Sequence, residues 1–130
     1  GRFNFEGQAR RQIWIGGGIG ITPFVARLHQ LAQHSDGRQI DLFHATTEVD
    51  ETALQRLQDD ASAAGVRLHL LVSGRDGLLT GERLRALVPD WRDAEVWFCG
   101  PAAFGDAIRT DLCGQGLLPA RFHQELFEMR

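Results

Sequence analysis

A glycine-rich segment near the start of the chain has the residue types that bind a phosphate through the backbone. It reads Gly-Gly-Gly-Ile-Gly-Ile-Thr-Pro-Phe over residues 16–24, between an apolar run and an amphipathic stretch. Glycine has no Cβ, so the backbone can turn sharply and approach a ligand closely. The N-terminus of a following helix would offer unpaired N–H groups and the positive end of its dipole to an anion. The pattern indicates a nucleotide pyrophosphate site, and the alternative is a tight strand-to-helix turn without a ligand.

Three further segments place hydrogen-bonding, cationic or thiol side chains where a strand is predicted to end. They are His44-Ala45-Thr46-Thr47, Ser73-Gly74-Arg75 and Cys99-Gly100-Pro101. Open α/β sheets bind ligands at the carboxyl ends of their strands, at the point where the strand order reverses. Together with the glycine segment, these residues favour a nucleotide site over four unrelated loops.

The elements that would position these segments alternate along the chain. The periodicity predicts strands over residues 12–16, 39–45, 66–72, 95–99 and 121–127. It predicts helices over residues 22–33, 50–64 and 101–114, with a short helix that begins at Thr80, its predicted cap, after a glycine-rich loop at 73–79. Strands separated by helices predict a parallel sheet with right-handed crossovers. The chain is therefore predicted to be a three-layer, doubly wound α/β domain with about five parallel strands.

Composition limits the classes of function. The chain has 130 residues, enough for one domain with a core. Its net charge of −3 and the lack of a basic run argue against a nucleic-acid partner. No apolar segment reaches the roughly 20 residues needed to cross a bilayer. Two cysteines and five scattered histidines match no disulfide or metal-ligand pattern, so no metal site is predicted and a reducing compartment is expected. A phosphotransfer P-loop is excluded because the glycines are not followed by Gly-Lys-Ser/Thr.

The combination of motifs resembles the nicotinamide-binding domain of the ferredoxin reductase superfamily. The resemblance is carried by residues 14–24, by Phe-Cys-Gly-Pro at 98–101 and by Phe-His-Gln-Glu-Leu-Phe at 122–127. More narrowly, these residues are similar to those of bacterial ferric reductase and NADPH oxidase-like flavoproteins. The similarity covers nearly the whole chain and implies a Rossmann-like fold.

The resemblance implies one module of an FAD-dependent oxidoreductase that delivers hydride from NADPH or NADH to FAD. Electrons would then pass to haem, iron or an iron–sulfur acceptor. FAD would be bound mainly by a preceding β-barrel; residues 1–10 are similar to the end of that barrel, and residues 11–130 would form the NAD(P)-binding domain. In the ferric reductase branch a haem-binding membrane domain belongs to the same chain. The whole protein is then expected at the cytoplasmic face of the bacterial inner membrane, with this segment soluble. The alternative is a non-catalytic nucleotide-sensing or subunit-docking module.

The resemblance also assigns roles to single residues. Those expected to contact the nucleotide are Gly17, Gly18, Gly20, Thr22, Pro23, Thr46, Thr47, Ser73, Arg75, Gly100 and Pro101. Those expected to face the reacting rings are Cys99, Glu125 and Phe127. Several have a structural alternative: a helix cap for Thr22, ordinary turn chemistry for Thr46 and Thr47, a buried strand end for Cys99, an exposed side chain for Glu125 and a core aromatic for Phe127.

The choice between NADPH and NADH depends on two segments. Relatives that prefer NADPH place Ser and Arg against the 2′-phosphate, and a guanidinium suits a phosphate by its planar fork of donors. Here Gly74 separates Ser73 from Arg75, so the alternative is an exposed loop charge. No acidic residue ends the second strand, where NAD-specific domains usually bind the ribose. These features favour NADPH and leave NADH open.

Overall fold

The computed structural model describes residues 10–126, and the side chains of residues 10–124. Phe127 and nearly all of the segment expected to close a preceding barrel lie outside the described residues. The expectation of a boundary near residue 10 therefore stays a prediction.

Five parallel strands form a single sheet, as predicted. They are β1 (Arg11–Gly17), β2 (Gln39–Thr46), β3 (Arg67–Val72), β4 (Glu95–Gly100) and β5 (Phe122–Leu126). The strands lie in the order β3-β2-β1-β4-β5. The order therefore reverses between β1 and β4, which are neighbours in the sheet although β2 and β3 lie between them in the sequence.

Five helices connect the strands. They are α1 (Thr22–Gln33), α2 (Glu51–Ala64), α3 (Ser73–Asp76), α4 (Gly81–Leu87) and α5 (Ala102–Gly114), with short 3₁₀ turns at Gly18–Ile21, Trp91–Asp93 and Pro119–Arg121. The loop predicted at residues 73–79 begins with the single turn α3. None of the helices in the described part of the chain is long and apolar enough to cross a membrane.

Apolar side chains bury both faces of the sheet, which makes the fold three layers thick. Ile13 and Ile15 of β1 pack in a cluster with Leu84 of α4 and Ile108 of α5. Trp14, between them, faces the other way and packs with residues of α1 and α2. Because alternate strand residues point to opposite faces, a strand covered on both sides reads as a continuous apolar run.

The helix boundaries follow local backbone chemistry. Asp50 caps α2, its carboxylate accepting from the Ala53 N–H at 3.1 Å, and Gly65 ends the helix in the left-handed region at φ 72°. Thr80 caps α4 as predicted, accepting from the Arg83 N–H at 3.1 Å. The predicted starts of α2 and α5, at Asp50 and Pro101, are one residue earlier than the observed starts. Each of these residues is the N-cap that precedes its helix.

Candidate functional site

A cleft of about 440 Å³ opens at the carboxyl ends of β1 to β4. It lies on the sheet face that α4 and α5 cover, beside the position where the strand order reverses. Six residues predicted from the sequence line it: Gly17, Gly18, Thr46, Thr47, Ser73 and Pro101. The fold therefore brings together residues that are far apart in the sequence at one concave surface.

Two glycines at the end of β1 form the floor of the cleft. Gly18 has φ 58°, a conformation that favours glycine, and apart from its chain neighbours no atom of the described residues lies within 4 Å of the position where a Cβ would stand. A Cβ on Gly17 would lie 3.0 Å from the Phe104 ring. The backbone at Gly18 is thus open to a ligand, whereas Gly17 gives close packing against the cleft wall.

Gly20 and Gly100 serve the packing of the turn against β4. A Cβ on Gly20 would lie 2.0 Å from the carbonyl oxygen of Cys99, and one on Gly100 would lie 3.2 Å from the Gly17 backbone. A side chain at Gly20 would therefore meet the β4 backbone before it reached any ligand in the cleft. Neither glycine lines the cleft, and their contact with a nucleotide stays a prediction.

Thr22 and Pro23 begin α1 and do not line the cleft. Thr22 is the first helical residue and Ile21 takes the cap position, so the alternative role of Thr22 as the cap is wrong. Pro23 occupies the first turn, where its missing N–H leaves no intrahelical bond unmade. The Thr22 side chain is exposed, and its contact with a nucleotide remains a prediction.

Hydroxyl groups at the ends of β2 and β3 provide the polar side chains of the cleft. Thr46 and Ser73 are half-buried and Thr47 is exposed. The Thr46 hydroxyl accepts from the Glu48 N–H at 3.1 Å, which fixes the turn after β2. None of the described residues that line this cleft carries a charge.

Arg75 lies two residues after Ser73, which lines the cleft, but Arg75 itself does not line the cleft. Its side chain is 51% exposed, and its Nε donates to Asp76 Oδ2 at 3.2 Å. Asp76 also accepts from the Val72 N–H at 3.0 Å, and this hydrogen bond, followed by Arg75, keeps the pKa of Asp76 below its usual value. A bound 2′-phosphate would have to draw the guanidinium away from Asp76, so the predicted role of Arg75 stays a prediction.

The apolar walls of the cleft were not predicted. They come from Ala45, Leu71, Leu78, Leu79 and Phe104, with Gly77 in the intervening loop. Phe104 is half-buried and meets the edge of Phe98 at a ring-centroid distance of 5.2 Å. Its place three residues after Pro101, in the first turn of α5, is the signal that could have placed it beside the strand ends. Leu78 is 72% exposed.

Cys99 lies on the other face of the sheet. Its side chain is fully buried, in the cluster that includes Trp14 and Phe24 under α1. Cys99 pairs in register with Glu125 of β5, so the two predicted ring-facing residues are neighbours across the strands. The side chain of Glu125 and all of Phe127 lie outside the described residues, and the three roles remain predictions.

The cleft offers three kinds of contact to a ligand. Backbone at the glycine turn suits a phosphate, the Thr and Ser hydroxyls suit a ribose, and the aliphatic and aromatic walls suit a planar ring. Among the described residues, no group of three or more His, Cys, Asp or Glu side chains could bind a metal ion. The residues present therefore fit a dinucleotide.

A protein family and several known proteins are similar to this chain. Residues 14–110 match the family model of the oxidoreductase NAD-binding domain. The flavohemoprotein of Oceanobacillus iheyensis is 27% identical over 132 residues, covering 94% of this chain and 32% of that protein. The ferredoxin reductase component of 3-ketosteroid-9-alpha-monooxygenase from Rhodococcus rhodochrous is 27% identical over 115 residues, covering 87% of this chain and 33% of that protein.

A solved structure shows the same fold. The flavohem-like FAD/NAD-binding domain of nitric oxide dioxygenase from Vibrio cholerae superposes with a TM-score of 0.78 at 27% identity, covering 98% of this chain and 55% of that one. The chain spans about a third of the length of the curated relatives named above.

Proposed function

Because the chain belongs to the oxidoreductase NAD-binding domain family, we propose that its carboxyl-edge cleft binds NADH or NADPH and presents the nicotinamide to an FAD bound by another domain. When bound, the reduced nicotinamide supplies a hydride for the flavin. The observation that carries the proposal is the meeting of Gly17, Gly18, Thr46, Thr47, Ser73 and Pro101 around one cleft at the reversal of strand order.

The residues of this chain would bind and orient the nucleotide. The open backbone at Gly18 would receive the pyrophosphate, and the hydroxyls of Thr46 and Thr47 would donate to the ribose side. Phe104 and Leu78 would enclose a ring. No acid or base is required of these residues, since the bond-making belongs to the cofactors and the protein provides geometry and field.

The partner domain and the electron acceptor are further parts of the proposal. The related Vibrio cholerae unit is an FAD/NAD-binding domain, which supports an FAD-binding barrel beside this domain. The named relatives are flavohemoproteins and a ferredoxin reductase component, which supports haem or an iron–sulfur protein as acceptor. The ferric reductase branch, with a membrane haem domain at the bacterial inner membrane, is the narrower form of the proposal.

A cleft-filling substitution tests where the nucleotide binds. In Thr47→Trp an indole would occupy the cleft mouth, and Thr110→Trp adds the same side chain at an exposed position of α5. We expect the affinity for NADH or NADPH, measured by calorimetry, to fall at least roughly tenfold in Thr47→Trp, about 1.4 kcal/mol. Thr110→Trp should bind like the unmodified chain. Equal affinities in the two variants would show that the nucleotide does not bind in this cleft.

Joining the chain to an FAD-binding barrel tests the redox role separately. Addition of NADH or NADPH should bleach the flavin absorbance, and comparison of the two gives the preference. A flavin that stays oxidised while the nucleotide binds would favour the non-catalytic nucleotide-sensing or docking module instead.

A further inference from the structure

A second cleft lies on the opposite face of the sheet from the proposed nucleotide site. It has a volume of about 480 Å³ and opens between α1 and α2 above the end of β2. Its apolar lining comes from Ile21, Val25, Ala53, Leu54 and Leu57. A concave space of this size, with apolar walls and a few polar groups, is the usual form of a small-molecule site. Nothing in the proposed function uses it.

His44 brings an unsatisfied acceptor to this cleft. Its side chain lines the cleft and is 7% exposed, and none of the described residues hydrogen-bonds to its Nδ1. His44 pairs in register with Gly16 of the neighbouring strand β1. Burial lowers the pKa of His44, so the imidazole is neutral at pH 7. In the neutral tautomer that carries its proton on Nε2, Nδ1 is a bare acceptor.

Arg56 of α2 adds a charge to the lining of the cleft. Its side chain is exposed, and it makes no ion pair or side-chain hydrogen bond within residues 10–124. The other charged groups of the lining engage each other, because His29 Nε2 lies 3.1 Å from Asp60 Oδ2 and joins α1 to α2. Arg56 is therefore the lining charge that is available to an anion.

We propose that the cleft between α1 and α2 binds a single-ring aromatic acid that carries a phenolic hydroxyl. The hydroxyl donates to His44 Nδ1, the ring packs on Val25 and Leu54, and the carboxylate pairs with Arg56. Nδ1 is itself buried, so the lining of the cleft has to move for the hydroxyl to reach it. Unsatisfied buried polar groups are few in native proteins, and a ligand donor at this nitrogen would account for this one.

The probe is 4-hydroxybenzoate, with benzoate and phenol as matched ligands that each lack one polar group. In calorimetry we expect 4-hydroxybenzoate to bind about fivefold more tightly than benzoate, the equivalent of one neutral hydrogen bond. In His44→Phe this preference should vanish. Arg56→Gln should weaken 4-hydroxybenzoate about threefold and leave phenol unchanged, as expected for an exposed ion pair. Arg109→Gln, at an exposed position of α5, is the control and should change neither.

Nuclear magnetic resonance tests the proposal on the unmodified chain, so the test does not depend on whether His44→Phe folds. In the unmodified chain, 4-hydroxybenzoate should shift the ¹⁵N signal of His44 Nδ1 and the amides of Val25, Ala53 and Leu54, whereas benzoate should not move the Nδ1 signal. Equal binding of 4-hydroxybenzoate and benzoate, no binding at millimolar concentration, or shifts confined to Thr46, Thr47 and Ser73 would each overturn the proposal. None of these outcomes depends on flavin reduction. Failure of this proposal therefore leaves the proposed nucleotide-binding function untouched, and the reverse also holds.

Discussion

Two glycines of one motif have different physical tasks. Gly18 faces open space in a left-handed conformation, whereas Gly20 is buried with the carbonyl of Cys99 where a Cβ would stand. Gly18 leaves the backbone accessible to a ligand in the cleft, and Gly20 allows the turn to pack directly against β4. A glycine-rich motif therefore describes both a ligand surface and a packing contact.

Replacement of Gly20 by alanine tests its packing role. The new Cβ would lie 2.0 Å from the Cys99 oxygen, so the turn or β4 must shift. We expect Gly20→Ala to lower the free energy of unfolding by at least about 2 kcal/mol in urea denaturation, within the range for overpacked cores. Gly114→Ala, where nothing lies within 4 Å of the added carbon, should leave stability unchanged or slightly higher. Equal stability of Gly20→Ala and the unmodified chain would contradict the close contact.

The sequence could predict the polar residues of the cleft more fully than its walls. Thr46, Thr47 and Ser73 follow strands whose ends are visible from their apolar runs, and parallel strands bring those ends together. Leu78 and Phe104 could not be assigned to the cleft in this way, because an apolar residue in a loop or helix is typical of the hydrophobic core. Only the packing shows that it lines a cleft instead. The same limit applies to Gly20, whose neighbour on β4 is distant in sequence.

Charged side chains connect the amino ends of three strands. Asp41 of β2 is almost fully buried and lies 2.7 Å from Arg11 of β1 and 2.6 Å from His69 of β3. Arg11 reaches on to Asp90, before the turn that precedes β4, at 2.9 Å. Burial alone would raise the pKa of Asp41, but the hydrogen bonds from His69 and Arg11 outweigh it and hold that pKa below its ordinary value. The network thus stabilises the sheet at the edge opposite the nucleotide cleft.

The depressed pKa of Asp41 gives a pH dependence of stability with a definite sign. A carboxylate with a lower pKa in the folded state stabilises the fold above its unfolded pKa, and this stabilisation is lost as pH falls through the folded value. We expect Asp41→Asn to cost about 3 kcal/mol at pH 7, as for a broken buried pair. The difference in the free energy of unfolding between Asp41→Asn and the unmodified chain should decrease as the pH falls below about 4.

Urea denaturation at several pH values measures this gap. The control is Asp59→Asn at an exposed position of α2, which should change stability at pH 7 by less than about 0.5 kcal/mol. A gap for Asp41→Asn that is constant from pH 7 to pH 3 would show that Asp41 contributes through packing and not through its charge.

At the scale of elements, hydrophobic periodicity predicted all five strands and the four longer helices. What it missed is local: α3 begins in a segment predicted as loop, where Asp76 accepts from the Val72 N–H and Arg83 donates to the Asp76 carbonyl. These contacts join residues several positions apart through side chains, and hydrophobic patterning carries no information about them.

Across the whole molecule, the sheet separates two surfaces. The nucleotide cleft belongs to the face under α4 and α5, while Cys99 and the second cleft belong to the face under α1 and α2. The predicted approach of a nicotinamide to Cys99 therefore requires the ring to reach the rim of the sheet between β1 and β4. Whether this part of the sheet opens can be measured without any cofactor.

Thiol labelling of single-cysteine variants reports that opening. Cys99 is fully buried, so a reagent should reach it only through global unfolding, whereas the half-buried Cys113 near the end of α5 should react through local fluctuations. With a domain stability of at least about 5 kcal/mol, we expect Cys99 in Cys113→Ser to react at least about a thousandfold more slowly than Cys113 in Cys99→Ser. Urea should accelerate Cys99 with the full slope of global unfolding. If Cys99 instead labels quickly and with a shallow urea dependence, the glycine turn separates locally from β4, and the thiol is then accessible to a nicotinamide in the folded domain.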